Sequence, residues 1–470
     1  MQTLRSDLQT NVILMNNRLL LGIMLISVVL IFNACRSDDE IPQPADYGQP
    51  HELGAEVVTD WYEVFISVSQ YADGYRPPIT SRNLGYIGLI GYESIAQATP
   101  GQQSLGNHFH NLEIPAIKEF EDYYWPAVLN SAYSSAFKYY FPHVSQEYVQ
   151  MMDHMYDHYF NKFSEKLDDE VLNRSEAYGK SVASAVINWS QLDEEGDFAF
   201  LDPTPPYNPP AGPGLWQPTP PDFTPGLTPY WGQVRQFAIS EEDKLSPPPM
   251  EWSQSPNSPF YAQALEVFNI VNNLTYEQRW IGEFWSDDNF SLTLDPACRW
   301  ISIALQAMEI RPLTMAEATQ LMAQLGMAMA DAGIAVWHSK YYYNLQRPID
   351  FLRDLKDPEW ETICFNPITG DMGKSPHFPA YPSGHAGFGA SAAEVLEETF
   401  GSHFPMVDRT HEGRTEFLGT PREFNSFNDM AVENAISRIY LGVHFRIDAD
   451  EGLRLGRVAG RSVLDLPWQG

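Results

Sequence analysis

The chain has 470 residues, a formal net charge of −32 and three cysteines, Cys35, Cys298 and Cys364. Its long-range field repels phosphate, which excludes nucleic acid as a partner and requires any anion site to be built locally. Three cysteines are too few for a disulfide framework in a chain of this size, and 36 prolines with 31 glycines mark long loops.

The first element is a targeting segment. Arg18 precedes an uncharged apolar run, Leu19 to Phe32, of 14 residues, short for a spanning helix. Ala34 before Cys35 resembles a bacterial lipobox, in which the cysteine is lipidated and becomes the mature N-terminus. Phe32 and Asn33 depart from the strict pattern, and Met15 is an alternative start. A free cysteine behind a plain secretory signal, or an uncleaved anchor, stays open. Residues 36–50 are polar and proline-bearing and read as a flexible tether. The protein is therefore expected to be exported, held to a membrane only through an N-terminal lipid and facing the periplasm or cell surface.

From 51 to 470 helical periodicity dominates and alternating strand patterns are scarce. Helical stretches include 148–168, 174–190, 258–273, 299–309, 314–346, 384–400 and 427–441. The reading is one all-α helical-bundle domain with long proline-rich loops. Residues 201–233 carry too many prolines for helix. Leu215, Trp216, Phe223, Tyr230 and Trp231 give this stretch more aromatic surface than a solvated linker holds, so it is expected to lie pinned across the helical core.

Three motifs near the C-terminal end carry chemistry. The helix opened by the capping box Thr314-x-x-Glu317 is expected to run until Pro348 stops it. Lys340 and Arg347, seven residues apart, would then project from one face roughly 10 Å apart along the axis, with Trp337 one turn before the lysine. Next, "YPSGHAGFGASAAEVLEETFG" reads as a buried helix of small residues closed by Gly401. Its first turn, capped by Ser383 or Gly384, sets free N–H groups beside a hydroxyl and the His385 imidazole. Helix starts of this composition bind oxyanions. Finally, a helix capped by Ser426 or Asn425 carries Arg438 near its end and breaks at Gly442. Beyond it, His444 and Asp448 are four apart, so a carboxylate holds one imidazole nitrogen while the other points at a reacting atom. His338, His403 and His411 read as solvated and outside the site.

The order K-x6-R-P, P-S-G-H, S-R-x5-H-x3-D resembles the superfamily of type-2 phosphatidic acid phosphatases and vanadium-dependent haloperoxidases. The chain is most similar to the soluble bacterial haloperoxidases. Lys340, Arg347, Pro348, Pro382, Ser383, Gly384, His385, Ser437, Arg438, His444 and Asp448 carry the match. The resemblance implies a site-bearing core over about 299–470. It makes His444 the vanadium ligand, or the nucleophile if a phosphoester is cleaved through a phospho-histidine. His385 becomes the acid–base residue, and Lys340, Arg347, Arg438, Ser383 and Gly384 the vanadate or phosphate cage. Trp337 and Phe378 would line the halide side, and Asp288 in "EFWSDDN" would orient Arg438 from behind. The implied cofactor is vanadate, whose site also accepts phosphate. The implied substrates are hydrogen peroxide, a halide and an organic acceptor. Phe378 and the adjacent His377 leave the halide open, with iodide or bromide first. A soluble acid phosphatase is the alternative activity.

Overall fold

In the computed structural model, the residues described are 47–470, apart from 120, 194, 202–205, 288, 290, 291 and 367. The signal, Cys35, the tether up to residue 46 and Asp288 fall outside them. Regular structure in the described residues consists of thirteen α-helices, a few short 3-10 turns and one two-stranded sheet, so the all-α expectation holds.

The first helices are α1 (Glu56–Tyr71), α2 (Pro77–Glu93), α3 (Trp125–Tyr140), α4 (Gln146–Ser164) and α5 (Asp169–Ser190). After the proline-rich segment come α6 (Pro259–Asn272), α7 (Tyr276–Phe284), α8 (Pro296–Ile310), α9 (Met315–Tyr343) and α10 (Pro348–Leu355). Then follow α11 (Gly384–Phe400), the antiparallel pair β1 (Met406–Asp408) and β2 (Arg422–Phe424), α12 (Phe427–Tyr440) and α13 (Arg446–Leu464). Caps legible in the sequence set several starts: Ser383 accepts from the Ala386 N–H, Ser426 from that of Asp429, and the Thr314–Glu317 capping box opens α9.

Helix α9 is the axis of the molecule. It is buried almost continuously from Met315 to Trp337 and packs against α2, α11 and α13. Small residues bring these helices close. In α13, Gly452, Gly456 and Gly460 recur every fourth residue and so share one face. A Cβ on Gly452 would meet the Ser383 carbonyl oxygen at 2.5 Å and one on Gly460 that of Ser391 at 2.9 Å, while Gly456 abuts the Gly387 carbonyl. This ladder holds the start of α11 against the start of α13, where the Ser383 N–H donates to the Asp448 carbonyl at 2.8 Å.

The proline-rich segment lies across α9. The Trp216 N–H donates to the Asn344 carbonyl at 2.7 Å and the Gln346 N–H to that of Gly214 at 2.9 Å. The Leu227 carbonyl accepts from the Trp337 indole at 3.2 Å and the Tyr341 hydroxyl at 2.7 Å. Further along, Asp331 of α9 accepts three backbone N–H groups, from Phe237, Ala238 and Ile239. Trp216 and Trp231 are buried as their apolar area demands, whereas Phe223 is 62 % exposed.

One boundary differs from expectation. Helix α9 stops at Tyr343 because Asn344 adopts the left-handed conformation (φ 50°, ψ 39°), a conformation glycine and asparagine favour at helix ends. Arg347 therefore does not share a helical face with Lys340. It is the extended N-cap of α10, and Pro348 opens that helix instead of stopping the previous one.

Candidate active site

Helix starts converge on the candidate residues. Arg347 caps α10, Ser383 caps α11, Gly384 and His385 form its first turn, and His444 precedes Phe445, the cap of α13. Backbone N–H groups and the positive ends of helix dipoles thus share one region with the cationic side chains.

Lys340, Arg347 and Arg438 are each fully buried. The Lys340 ammonium donates to the Pro379 and Ala380 carbonyls at 2.8 and 2.9 Å, which accounts for two of its three N–H groups. It lies 5.0 Å from the Phe378 ring centroid and 6.0 Å from that of Trp337. Burial, then Arg347 and Arg438, push its pKa well below the usual lysine range, with Asp448 opposing. Arg347 donates through Nε to the Phe378 carbonyl and through Nη1 to that of Val443, both at 2.8 Å.

His444 is held at both ring nitrogens. Nδ1 lies 3.0 Å from Asp448 Oδ2, which also accepts the Phe445 N–H at 2.9 Å. That carboxylate places the ring proton on Nδ1 and leaves the Nε2 lone pair facing Arg347 Nη1, 3.0 Å away. Burial lowers the His444 pKa well below its ordinary value, and Arg347, Lys340, Arg438 and His385 all add to the effect, so the ring is neutral near pH 7. Burial pushes Asp448 up to about 7, against the Phe445 N–H, Lys340 and Arg347.

A cavity of about 310 Å³ opens onto this cluster. Trp337, Phe378, Gly384, His385, Arg438 and His444 line its inner wall, while Lys340, Arg347, Ser383 and Asp448 stand behind them. The Trp337 and Phe378 rings are 5.0 Å apart. Among the described residues, no three His, Cys, Asp or Glu side chains form a metal-ligand set. The side chains present fit a metal carried as an oxyanion, its oxygens matched to the cations and helix N–H groups and its centre within reach of one imidazole. The desolvated Lys340, bonded to neutral carbonyls, would gain further counter-charge from such an anion beside that of Asp448.

Asp288, the expected partner of Arg438, lies outside the described residues. One reading needs correction: His411, expected to be solvated, is 2 % exposed. It bonds the buried Arg299, which also pairs with Asp408 at 2.8 Å and lies 4.6 and 4.7 Å from the Phe284 and Trp285 ring centroids. Nothing local to His411 announces its bond to Arg299, 112 residues away in sequence. The cavity also takes in Arg76, Asp287, Asp295 and His377, which sequence reasoning left out of the site. Arg76 had a local signal, standing just before the Pro77–Pro78 helix start.

Comparison with known proteins places this architecture. Residues 320–467 match the family model of the VCPO second helical-bundle domain, a span that contains every residue of the cluster from Lys340 to Asp448. The vanadium chloroperoxidase of Curvularia inaequalis is 27 % identical over 317 residues, which are 55 % of this chain and 50 % of that protein. The chain thus spans about half the length of that curated relative. A crystal structure described as the first bacterial vanadium-dependent iodoperoxidase aligns with a TM-score of 0.75 and 28 % identity, over 88 % of this chain and 96 % of the other. The chain is therefore similar to vanadium haloperoxidases, over its C-terminal helical bundle in sequence and over most of its length in fold. An apo-type bacterial vanadium-dependent chloroperoxidase, at 17 % identity and a TM-score of 0.62, shares the fold over 83 % of this chain. Within this haloperoxidase fold, the α11–α13 glycine ladder and the extended stretch after Asn344 deliver Ser383, Arg347 and His444 to one locus.

Proposed function

We propose that the protein is an exported vanadate-dependent haloperoxidase that oxidises a halide, iodide or bromide first, with hydrogen peroxide to a hypohalous species that passes to an organic acceptor. The observation that carries this reading is the convergence of three fully buried cations, the α11 start and a neutral His444 backed by Asp448 around one cavity. Likeness to a structure described as an iodoperoxidase supports iodide as the first substrate to test.

Vanadate would supply a Lewis-acidic centre that activates hydrogen peroxide toward halide. His444 Nε2 would hold it, with Asp448 fixing the tautomer. Lys340, Arg347 and Arg438 would neutralise its oxygens, and Ser383 with the Gly384 N–H would complete the cage. His385, in the first turn of α11 and lining the cavity, is suited to take and return the protons of peroxide. Trp337 and Phe378 supply an aromatic wall on the side of Lys340, where a weakly hydrated halide is less penalised than a strongly hydrated anion.

The soluble phosphatase reading shares this cage, because cations and helix N–H groups recognise tetrahedral charge whatever the central atom. The aromatic pair on the cavity wall favours the haloperoxidase. Among the described residues no helix is long and apolar enough to cross a membrane, and attachment through a lipidated Cys35 is part of this proposal. The deciding experiment assays purified protein, loaded with vanadate, for iodide and bromide oxidation beside p-nitrophenyl phosphate hydrolysis. Vanadate-dependent halide oxidation is expected, and hydrolysis without oxidation would transfer the assignment to the phosphatase.

A further inference from the structure

The two rings of the aromatic wall belong to different elements. Trp337 sits on α9 and Phe378 in the loop between α10 and α11, yet their centroids are 5.0 Å apart. One residue of the proline-rich segment bonds to both carriers. The Leu227 N–H donates at 3.0 Å to the carbonyl of His377, the residue before Phe378, while the Leu227 carbonyl accepts the Trp337 indole N–H at 3.2 Å. A carbonyl oxygen has two lone pairs, and the Tyr341 hydroxyl donates to the same oxygen at 2.7 Å. Leu227 itself lines the cavity. From the cage side, Arg347 Nε donates to the Phe378 carbonyl at 2.8 Å, so the successive carbonyls of residues 377 and 378 are held by the strap and by the cage.

The backbone around Leu227 is shaped to aim that peptide. Thr228 has φ 41°, in the left-handed region that β-branched residues avoid. Such a conformation persists only where the surroundings hold it, and the Leu227–Thr228 peptide carries the very carbonyl that both donors grip. Gly226, on the other side, lets the chain pass close to the tyrosine: a Cβ there would lie 2.9 Å from the Tyr341 hydroxyl. Trp337 and Tyr341 are four residues apart on α9, so both donors reach the strap from one helix face. The Tyr207 ring packs edge-on against that of Tyr341 at 5.0 Å and limits its swing.

We propose that the Leu227 peptide, with Tyr341 as a positioning residue, is a clamp that sets the spacing of the Trp337–Phe378 wall and thereby the affinity for halide. The halide role rests on the haloperoxidase reading; the clamp itself rests on the three bonds to Leu227. A wall held closed keeps water out of the aromatic slot, and one that splays admits water and loses its preference for a weakly hydrated halide. The test compares wild type with Tyr341→Phe, which deletes the hydroxyl in the same shape, and Gly226→Ala, which displaces the hydroxyl without removing it. Each is expected to raise the iodide KM about three- to tenfold, the worth of one hydrogen bond, with kcat and vanadate affinity held within about twofold. A merely structural tyrosine would lower stability and leave the KM alone. An unchanged iodide KM in either variant, or a parallel loss of vanadate affinity, would overturn the clamp. If wild type oxidises no halide, the haloperoxidase reading fails, and the clamp is then judged by crystal structures of wild type and Tyr341→Phe. A wider separation of the Trp337 and Phe378 rings in the variant supports it; an unmoved wall refutes it.

Discussion

The roles of individual residues follow from what surrounds them. His444 has its proton fixed by Asp448, so Asp448→Asn should lose both the tautomer and the negative charge beside Lys340 and Arg347. We expect activity to fall by about two orders of magnitude or more and stability by about 3 kcal/mol, read by steady-state assay and urea unfolding. His444→Ala should abolish vanadate binding. His385→Ala should keep appreciable binding while slowing turnover by about two to four orders of magnitude; wild-type turnover in either variant contradicts these roles. Glu93, fully buried in α2 and accepting from the Ser104 hydroxyl and the Leu105 N–H, tests burial away from the site. Burial pushes its pKa up to about 7, so the stability it confers is present at acid pH and lost as pH rises toward 7. Glu93→Gln should therefore gain on wild type between pH 4.5 and 8, by about 3 kcal/mol, as measured by chemical unfolding at each pH. No such trend would mean that Glu93 ionises freely. At this scale the sequence was partly readable. The spacing of His444 and Asp448 announces their contact, whereas the Arg299–His411–Asp408 cluster is assembled by tertiary folding alone.

Among the elements, the α11–α13 crossing matters most, because it sets Ser383 beside Asp448. Gly456→Ala would drive a methyl group into the Gly387 carbonyl. We expect a loss of about 1–3 kcal/mol from overpacking, with weakened vanadate affinity as the start of α11 shifts. Full affinity in a destabilised Gly456→Ala protein would show that the ladder serves stability only. Trp216 fixes the proline-rich strap to the end of α9, and Trp216→Ala should cost about 3–5 kcal/mol. Helix caps such as Ser383, Thr314 and Ser426 were legible because their physics is local. The end of α9 was misjudged because Pro348 outweighed Asn344, although asparagine in the left-handed conformation had already ended the helix four residues earlier.

For the whole molecule, periodicity and the scarcity of strand patterns foretold an all-α fold, while long-range packing, such as α9 against α2, had no sequence signal beyond small residues. The proposed lipid anchor predicts that the wild-type protein partitions into detergent on Triton X-114 phase separation and that Cys35→Ser moves it to the aqueous phase; equal partitioning would remove the lipid from the account. The central claim is that a locally cationic cavity in a strongly acidic protein holds vanadate for halide oxidation. It is tested most directly by titrating vanadate-free protein with vanadate while following iodide oxidation by hydrogen peroxide, with and without excess phosphate. The account predicts saturable activation that phosphate competitively suppresses. Iodide oxidation that is independent of vanadate, or activation by vanadate that phosphate in large excess leaves untouched, would contradict it.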